Sequence, residues 1–405
     1  MGSALSVFND FMTTTDSAVL TDASSIINEA TKNNYLLRRF LKGKSNSQIL
    51  QGGKTIKDQI FFDEESTFEY YQPNATFSWQ NPQVLTEWEI DWRFAVDHMS
   101  WTDHEIELNT GGGLSKSARH KVYKKLRRVK EQRLWTSLMN GMEDALFAVP
   151  SKTDMEDSGG TKPYSLPCFI NEETNGLFHD GTAAWTTVEG IAPATYSKWA
   201  PQLTTYDKFN KGNTASFVEG ESIFAAFDAM YLKVKFQAPP TRQEYFEDSN
   251  LNAQFIACSK LGITEYMSCL RHQQDMFAAP SRQDPAFLKP TYGGIELEYV
   301  SNLDTAAIYR DAAGALDVEQ GGDAGTKDSG TSAYVDGPRY YWINANYIHP
   351  VFHTTRYFHR HPVMTHPNQP FTHVQPVDCW TNLVCTSRQR SGIVAPVDGG
   401  TTVTH

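Results

Sequence analysis

An α+β fold follows from the order in which two hydrophobic periods occur along this 405-residue chain. From Glu87 to Asp97 polar and apolar residues alternate, the period-two mark of a strand with one dry face and one wet face. From Ser115 to Ala148 there is no proline and one glycine, Gly141. Apolar residues there recur at three-to-four spacing (Ala118, Val122, Leu126, Val129, Leu134, Leu138, Met142, Ala145), which predicts a long amphipathic helix. Shorter strand and helix patterns then follow one another, without an internal repeat.

Each element can be justified in turn. Residues 1–52 are poor in aromatics and rich in Ser, Thr and Asn. Short helices are expected over Ala18–Ala30 and Tyr35–Leu41, the second ended by Gly43. Their apolar surface is too small for a separate core, so this part reads as an N-terminal arm. Residues 53–110 read as a long antiparallel hairpin. Ile56–Phe62 pairs with the alternating strand, and Pro73-Asn74 and Asn81-Pro82 punctuate the span between them. The expected dry face is Trp88, Ile90, Trp92, Phe94 and Val96; the wet face is Glu87, Glu89, Asp91 and Asp97 with Arg93. A lone hairpin is marginal in water, so this one must lean on another body.

Gly111-Gly112-Gly113 breaks the chain before the long helix 115–148, about 50 Å at ~1.5 Å per residue, which Pro150 ends. It opens a segment, 111–215, whose remainder is loop-rich. Residues 216–338 carry a helix at Val218–Lys235, a break at Pro239-Pro240, a strand at Phe255–Cys258, a helix at Lys260–Gln274 and a strand at Ile295–Val300. Residues 311–338 read as an exposed acidic loop. The return, 339–405, holds strands at Tyr340–Ile343, Val351–Phe358, Trp380–Cys385 and Gly392–Val394.

Composition narrows the function classes. Hydrophobic residues are 40% and charged residues 20%, an ordinary globular balance. No apolar run approaches the ~18 residues of a membrane span, and the first residues lack the pattern of a signal peptide. The five cysteines are odd in number, with no CxxC pair, which suits buried thiols in a reducing compartment. Aromatic residues reach 12% with nine Trp, a supply that large cores and large interfaces both use.

Charge is segregated. Between Lys116 and Arg133 nine cations meet one anion, Glu131, a local charge of +8 that leaves −19 for the rest of a chain totalling −11. Such a helix can neutralise phosphates without reading bases. It can equally meet the acidic wet face of the 87–97 strand. Only a short glycine-bearing link separates the two in one chain, so the strand would come from a neighbouring copy. The expected contact set is Glu87, Trp88, Glu89, Asp91 and Trp92 against Lys121, Lys124, Lys125, Arg127 and Arg128.

Signals for chemistry are weaker. His359-Arg360-His361 sets two imidazoles at metal-ligand spacing, yet no carboxylate lies between Asp336 and Asp378, and Arg356 and Arg360 would repel a cation. The GGGLSKS run at 111–117 lacks the Gly-Lys-Ser/Thr ending of a phosphate loop. There is no Gly-x-Ser-x-Gly elbow. Cys269 and His272 share a helix face without a third group. No catalytic residue, cofactor or metal is therefore assigned.

The order arm, hairpin, long helix, mixed body, acidic loop and late strands resembles the major capsid proteins of tailed bacteriophages, with their Hong Kong 97-like fold. Local stretches resemble the family too: Gly190–Trp199, Phe255–Cys258 leading into a helix bearing Tyr266, Tyr341–Asn344, and Trp380–Gly392. The resemblance implies that 1–52 is the N-arm, 53–110 the E-loop, 111–215 the first part of the P-domain with spine helix 115–148, 216–338 the A-domain, and 339–405 returning strands of both. It implies a non-enzymatic icosahedral shell of hexamers and pentamers around double-stranded DNA, touched nonspecifically. Scaffolding, portal and cement proteins would be the partners, and the virion, assembled in the bacterial cytoplasm, the location. An encapsulin-like protein compartment, a His-rich metal enzyme and a sequence-neutral DNA-binding protein are the alternatives.

Overall fold

A computed structural model describes residues 34–42, 48–62, 70, 72, 85–110, 116–148, 152–156, 160–172, 185–207, 222–234, 254–276, 290–304, 307–310, 316–319 and 337–397. The chain forms two compact units. The first takes residues 1–34, 94–142 and 355–380; the second takes 35–93, 143–354 and 381–405. Helices and strands are mixed throughout, as the α+β reading requires.

Helix α1 (Tyr35–Lys42) matches the second expected arm helix, and it is not peripheral: Leu36, Leu37 and Phe40 are fully covered. The expected helix at Ala18–Ala30 lies outside the described residues. Strand β1 (Gln48–Leu50) follows, then β2 (Thr55–Phe61) and β3 (Leu85–Asp91). β2 and β3 form the expected antiparallel hairpin, with Ile56 opposite Ile90, Lys57 opposite Glu89 and Phe61 opposite Leu85.

The alternating run is not one strand. It divides at Trp92, after which β4 (Arg93–Thr102) begins. Trp92 and Arg93 are both buried, so the inward phase moves from even to odd positions, and Met99 and Trp101 point in. Phe94 and Val96, expected on the dry face, are therefore exposed. Arg93, expected on the wet face, is buried, and its guanidinium donates to the carbonyls of Gly160 and Asp154, each at 2.5 Å.

Where extended chain was expected to continue, α2 (Asp103–Thr110) begins. Thr102 Oγ1 accepts from the Glu105 amide at 3.2 Å, and the Glu105 carboxylate accepts from the Thr102 amide at 3.3 Å. That reciprocal pair is a capping box. The long helix, α3, spans Lys116–Phe147, within a residue of expectation at each end. Short helices α4 (Lys152–Glu156) and α5 (Leu166–Phe169) precede β5 (Gln202–Asp207), a strand within the stretch read as loop-rich. Then come α6 (Ile223–Val234), β6 (Gln254–Cys258), α7 (Lys260–Met276), β7 (Thr291–Tyr292) and β8 (Ile295–Tyr299). β9 (Ala307–Arg310) and β10 (Leu316–Glu319) pair with each other, so the expected acidic loop includes one strand where it is described.

The return brings β11 (Tyr340–Asn344) and β12 (Ile348–His353), which ends five residues before the expected Phe358 in a 3₁₀ turn, Thr354–Arg356. β13 (His359–Arg360), β14 (Met364–His366), β15 (Gln369–Cys385) and β16 (Gly392–Val397) complete the set. The expected strand Trp380–Cys385 is the end of a 17-residue strand.

In the first unit the leading part of β15 pairs with β13, β14 and β4. Met99, Trp101, Leu134, Leu138 and Val377 form its core, with Trp135 and Phe358 against it. In the second unit the last residues of β15 pair with β12, and β12 pairs with β1. Its larger sheet runs β5-β16-β11-β6-β8-β7, with β5/β16 and β6/β8 parallel. Phe227 of α6 sits at the centre of this core, edge-on to Tyr340 and Trp342 and stacked on Tyr266. Two buried arginines tie loops to it. Arg388 donates to the carbonyls of Phe169, Trp199 and Cys168 at 2.9–3.3 Å. Arg339 pairs with Glu172 at 2.6 Å and donates to the Gly337 carbonyl at 2.7 Å. All five cysteines are buried and free. No described helix is long and apolar enough to cross a membrane.

Candidate assembly surfaces

The hairpin register sorts its side chains onto two faces. Ile56, Trp88 and Ile90 lie on the buried one. Lys57, Glu87 and Glu89 lie on the other, with Asp91 at its inner end and the exposed pair Phe61–Leu85 at its outer end. Lys57 Nζ reaches Glu89 at 2.8 Å and Glu87 at 3.2 Å. These contacts hold the Lys57 ammonium above its ordinary pKa and Glu89 below its own. This face is nonetheless negative on balance, since among its paired residues Glu87, Glu89 and Asp91 outnumber Lys57.

Trp88 and Trp92 were expected to face a neighbour, and this is corrected. Their relative exposures are 2% and 5% within their own chain. The Trp92 indole donates to the Gly53 carbonyl at 3.1 Å and sits edge-on to His353. The hairpin is anchored on segment 185–199 at its outer end and midway along β3. Phe62 stacks on Tyr196 at 4.8 Å and meets Trp199 edge-on at 5.6 Å, while Lys198 Nζ donates to the Phe62 carbonyl at 2.9 Å. The Glu89 amide donates to the Glu189 carbonyl at 3.3 Å. Glu189 has a left-handed φ of 55°, and its carboxylate accepts from the Cys385 amide at 2.9 Å. Burial pushes that carboxyl up to about 8.

Of the cationic side chains on α3, the described ones begin at Arg127. Lys121, Lys124 and Lys125 lie on the helix, but their side chains are outside the described residues. Arg127 is half-buried, while Arg128 and Arg133 are exposed. Val129 sits among them at 46% exposure. Lys130 pairs with Glu105 at 3.4 Å, and Glu131 pairs with Arg360. The free cationic surface in the described part of the helix thus centres on Arg128 and Arg133, flanking an apolar side chain.

A second apolar patch lies on β4. Phe94 is 64% and Val96 70% exposed. The Phe94 ring meets Trp380 of β15 edge-on at 4.8 Å, and the Arg356 guanidinium lies 5.6 Å from the Trp380 ring centroid. Arg356 pairs with Asp378 at 3.2 Å.

The histidine cluster gains a partner that the sequence spacing hid. Asp378 is set opposite His359 across β13 and β15, and its Oδ1 is 3.1 Å from His361 Nε2. The His359 and His361 rings lie 4.9 Å apart. Arg356 Nη1 is 3.3 Å from the same His361 nitrogen, so a guanidinium stands where a cation would bind. Among the described residues no group of three His, Cys, Asp or Glu side chains is placed to hold a metal. Cys269 is buried, and the His272 side chain is outside the described residues.

No family model matches this sequence, and no curated protein does. Solved structures of similar chain path include the capsid of a native GTA particle, at 8% identity and TM-score 0.49, covering 95% of this chain and 98% of that one. The capsid asymmetric unit of cyanophage A-1(L) aligns at 13% identity and TM-score 0.47, over 94% and 96%. The holo-SrpI encapsulin complex of Synechococcus elongatus PCC 7942 aligns at 9% and 0.41, over 96% and 99%. Each TM-score lies below 0.5.

Proposed function

We propose that this chain is the major capsid protein of a tailed bacteriophage, a shell subunit whose copies close around double-stranded DNA. One observation carries the reading. The hairpin is tied down along its buried face, yet its other face is acidic, capped by Phe61 and Leu85, and open. Elsewhere the same chain carries a helix segment of opposite charge with an exposed apolar residue among its cations. Two different, complementary patches on one protein make a head-to-tail contact, and head-to-tail contacts that close give rings. Pentamers and hexamers are such rings.

In this reading 53–110 is the E-loop, 111–215 the first part of the P-domain with α3 as spine, 216–338 the A-domain, and 339–405 the returning strands. Glu87, Glu89 and Asp91 of one copy face Lys121, Lys124, Lys125, Arg127 and Arg128 of the next. Single exposed pairs contribute only ~0.2–1 kcal/mol; the charges serve orientation and register. Scaffolding, portal and cement proteins complete the particle, and cationic side chains touch packaged DNA without reading its sequence.

Reversal of Glu87, Glu89 and Asp91 to Lys tests the pairing. Sedimentation and electron microscopy should show particle assembly lost while the subunit still melts cooperatively. Reversal of Arg127 and Arg128 to Glu in the same chain should partly restore particles. Normal assembly of the first variant sinks the pairing. Particles filled with protein cargo and free of nucleic acid would replace the phage shell with an encapsulin-like compartment.

A further inference from the structure

Glu143, in the last turn of α3, does something the shell reading does not use. Its side chain is 1% exposed, and it accepts two backbone hydrogen bonds from the start of α1. The Leu36 amide donates to Oε1 at 3.1 Å and the Leu37 amide to Oε2 at 2.7 Å. These are amides that a helix's first turn leaves without internal partners. The remainder of the docking is apolar and cationic. Leu36, Leu37 and Phe40 are covered, and Arg39 lies 4.4 Å from the Phe255 ring centroid with Glu296 at 3.6 Å.

We propose that Glu143 is a pH-dependent clasp, holding the arm's last helix on the body in acid and slackening as the solution turns alkaline. Among the described residues, the groups around it supply no compensating charge. On α1, Arg39 is engaged by Glu296 and Phe255, Arg38 is exposed, and Tyr35 is a hydroxyl near Glu298. On α3 the neighbour is Asp144, whose Oδ1 accepts from Asn302 at 3.0 Å. Burial raises the Glu143 carboxyl from 4.5 to about 7, the two amide bonds pull it down, and the Asp144 charge raises it.

The sign follows from linkage. The docked state binds the proton more tightly than the undocked one, so docking is strongest below about pH 4.5 and weakens as pH rises through 7. The difference between 4.5 and about 7 sets a ceiling of roughly three-hundredfold on the change in the docking equilibrium.

Hydrogen exchange on the full chain reads this directly. Protection of the 34–42 segment, corrected for intrinsic rates, is compared between pH 5.5 and pH 8.5. Protection should fall about tenfold or more in the native chain. In Glu143→Gln, which cannot ionise and keeps one carbonyl acceptor, it should be the same at both values. Equal protection in the native chain, or an undiminished difference in Glu143→Gln, overturns the proposal. Should that variant not fold, Asp144→Asn decides: loss of the adjacent charge must move the midpoint to lower pH, and an unmoved midpoint refutes the assignment.

Discussion

Phe94 and Val96 should matter to assembly far more than to folding. The perturbation is Phe94→Thr with Val96→Thr, which keeps residues suited to a strand. Within the subunit the change removes one edge-on contact with Trp380, worth ~0.5–1.5 kcal/mol. Between subunits the stake is larger. Full burial of Phe or Val stabilises by ~1.5–3 kcal/mol, and about two thirds of each side chain is still exposed in the lone chain, at 64% and 70%. A neighbour covering both would therefore gain about 3 kcal/mol per contact, roughly a hundredfold in association. Light scattering against protein concentration gives the assembly threshold, and circular dichroism gives the melting temperature. The threshold should rise steeply while the melting temperature drops by a few degrees. An unchanged threshold would show that this face meets solvent in the particle.

Two further variants probe what holds the second unit together. Glu172→Gln leaves the Arg339 guanidinium, 0% exposed in its side chain, buried without a countercharge, which should cost ~3–5 kcal/mol in denaturant unfolding; Glu172→Leu with Arg339→Met should recover most of it. Gly392→Ala places a methyl carbon 2.6 Å from both the Gln202 carbonyl and the Met230 sulfur, where β5 and β16 meet, and should destabilise by ~1–3 kcal/mol.

Much of the fold was written in local patterns. The proline-free run 115–148 gave α3 because helical spacing and absence of breakers act over short range. The hairpin was legible because Ile56 and Ile90, now opposite each other, sit in runs of the right period. The fate of Phe94 and Val96 was not legible from alternation alone. The phase changes where Arg93 turns inward to two carbonyls supplied from 154 and 160, partners that no local pattern announces. Trp92 misled for the same reason, since its partners Gly53 and His353 come from distant segments. By contrast α2 could have been found: Thr102 and Glu105 stand at capping-box spacing. Asp378 stands 17 residues beyond His361 in the chain, and only strand pairing brings it to His359 and His361.

The paired burial of Trp92 and Arg93 behaves like a change of reading frame. Deleting one of the pair would remove the phase change and leave Met99 and Trp101 pointing inward, with Phe94 and Val96 outward as before. Deleting one residue between Arg93 and Met99 would instead turn Met99 and Trp101 toward water. The ribbon can thus accept a change of length at the joint more easily than beyond it, where insertions and deletions should be purged.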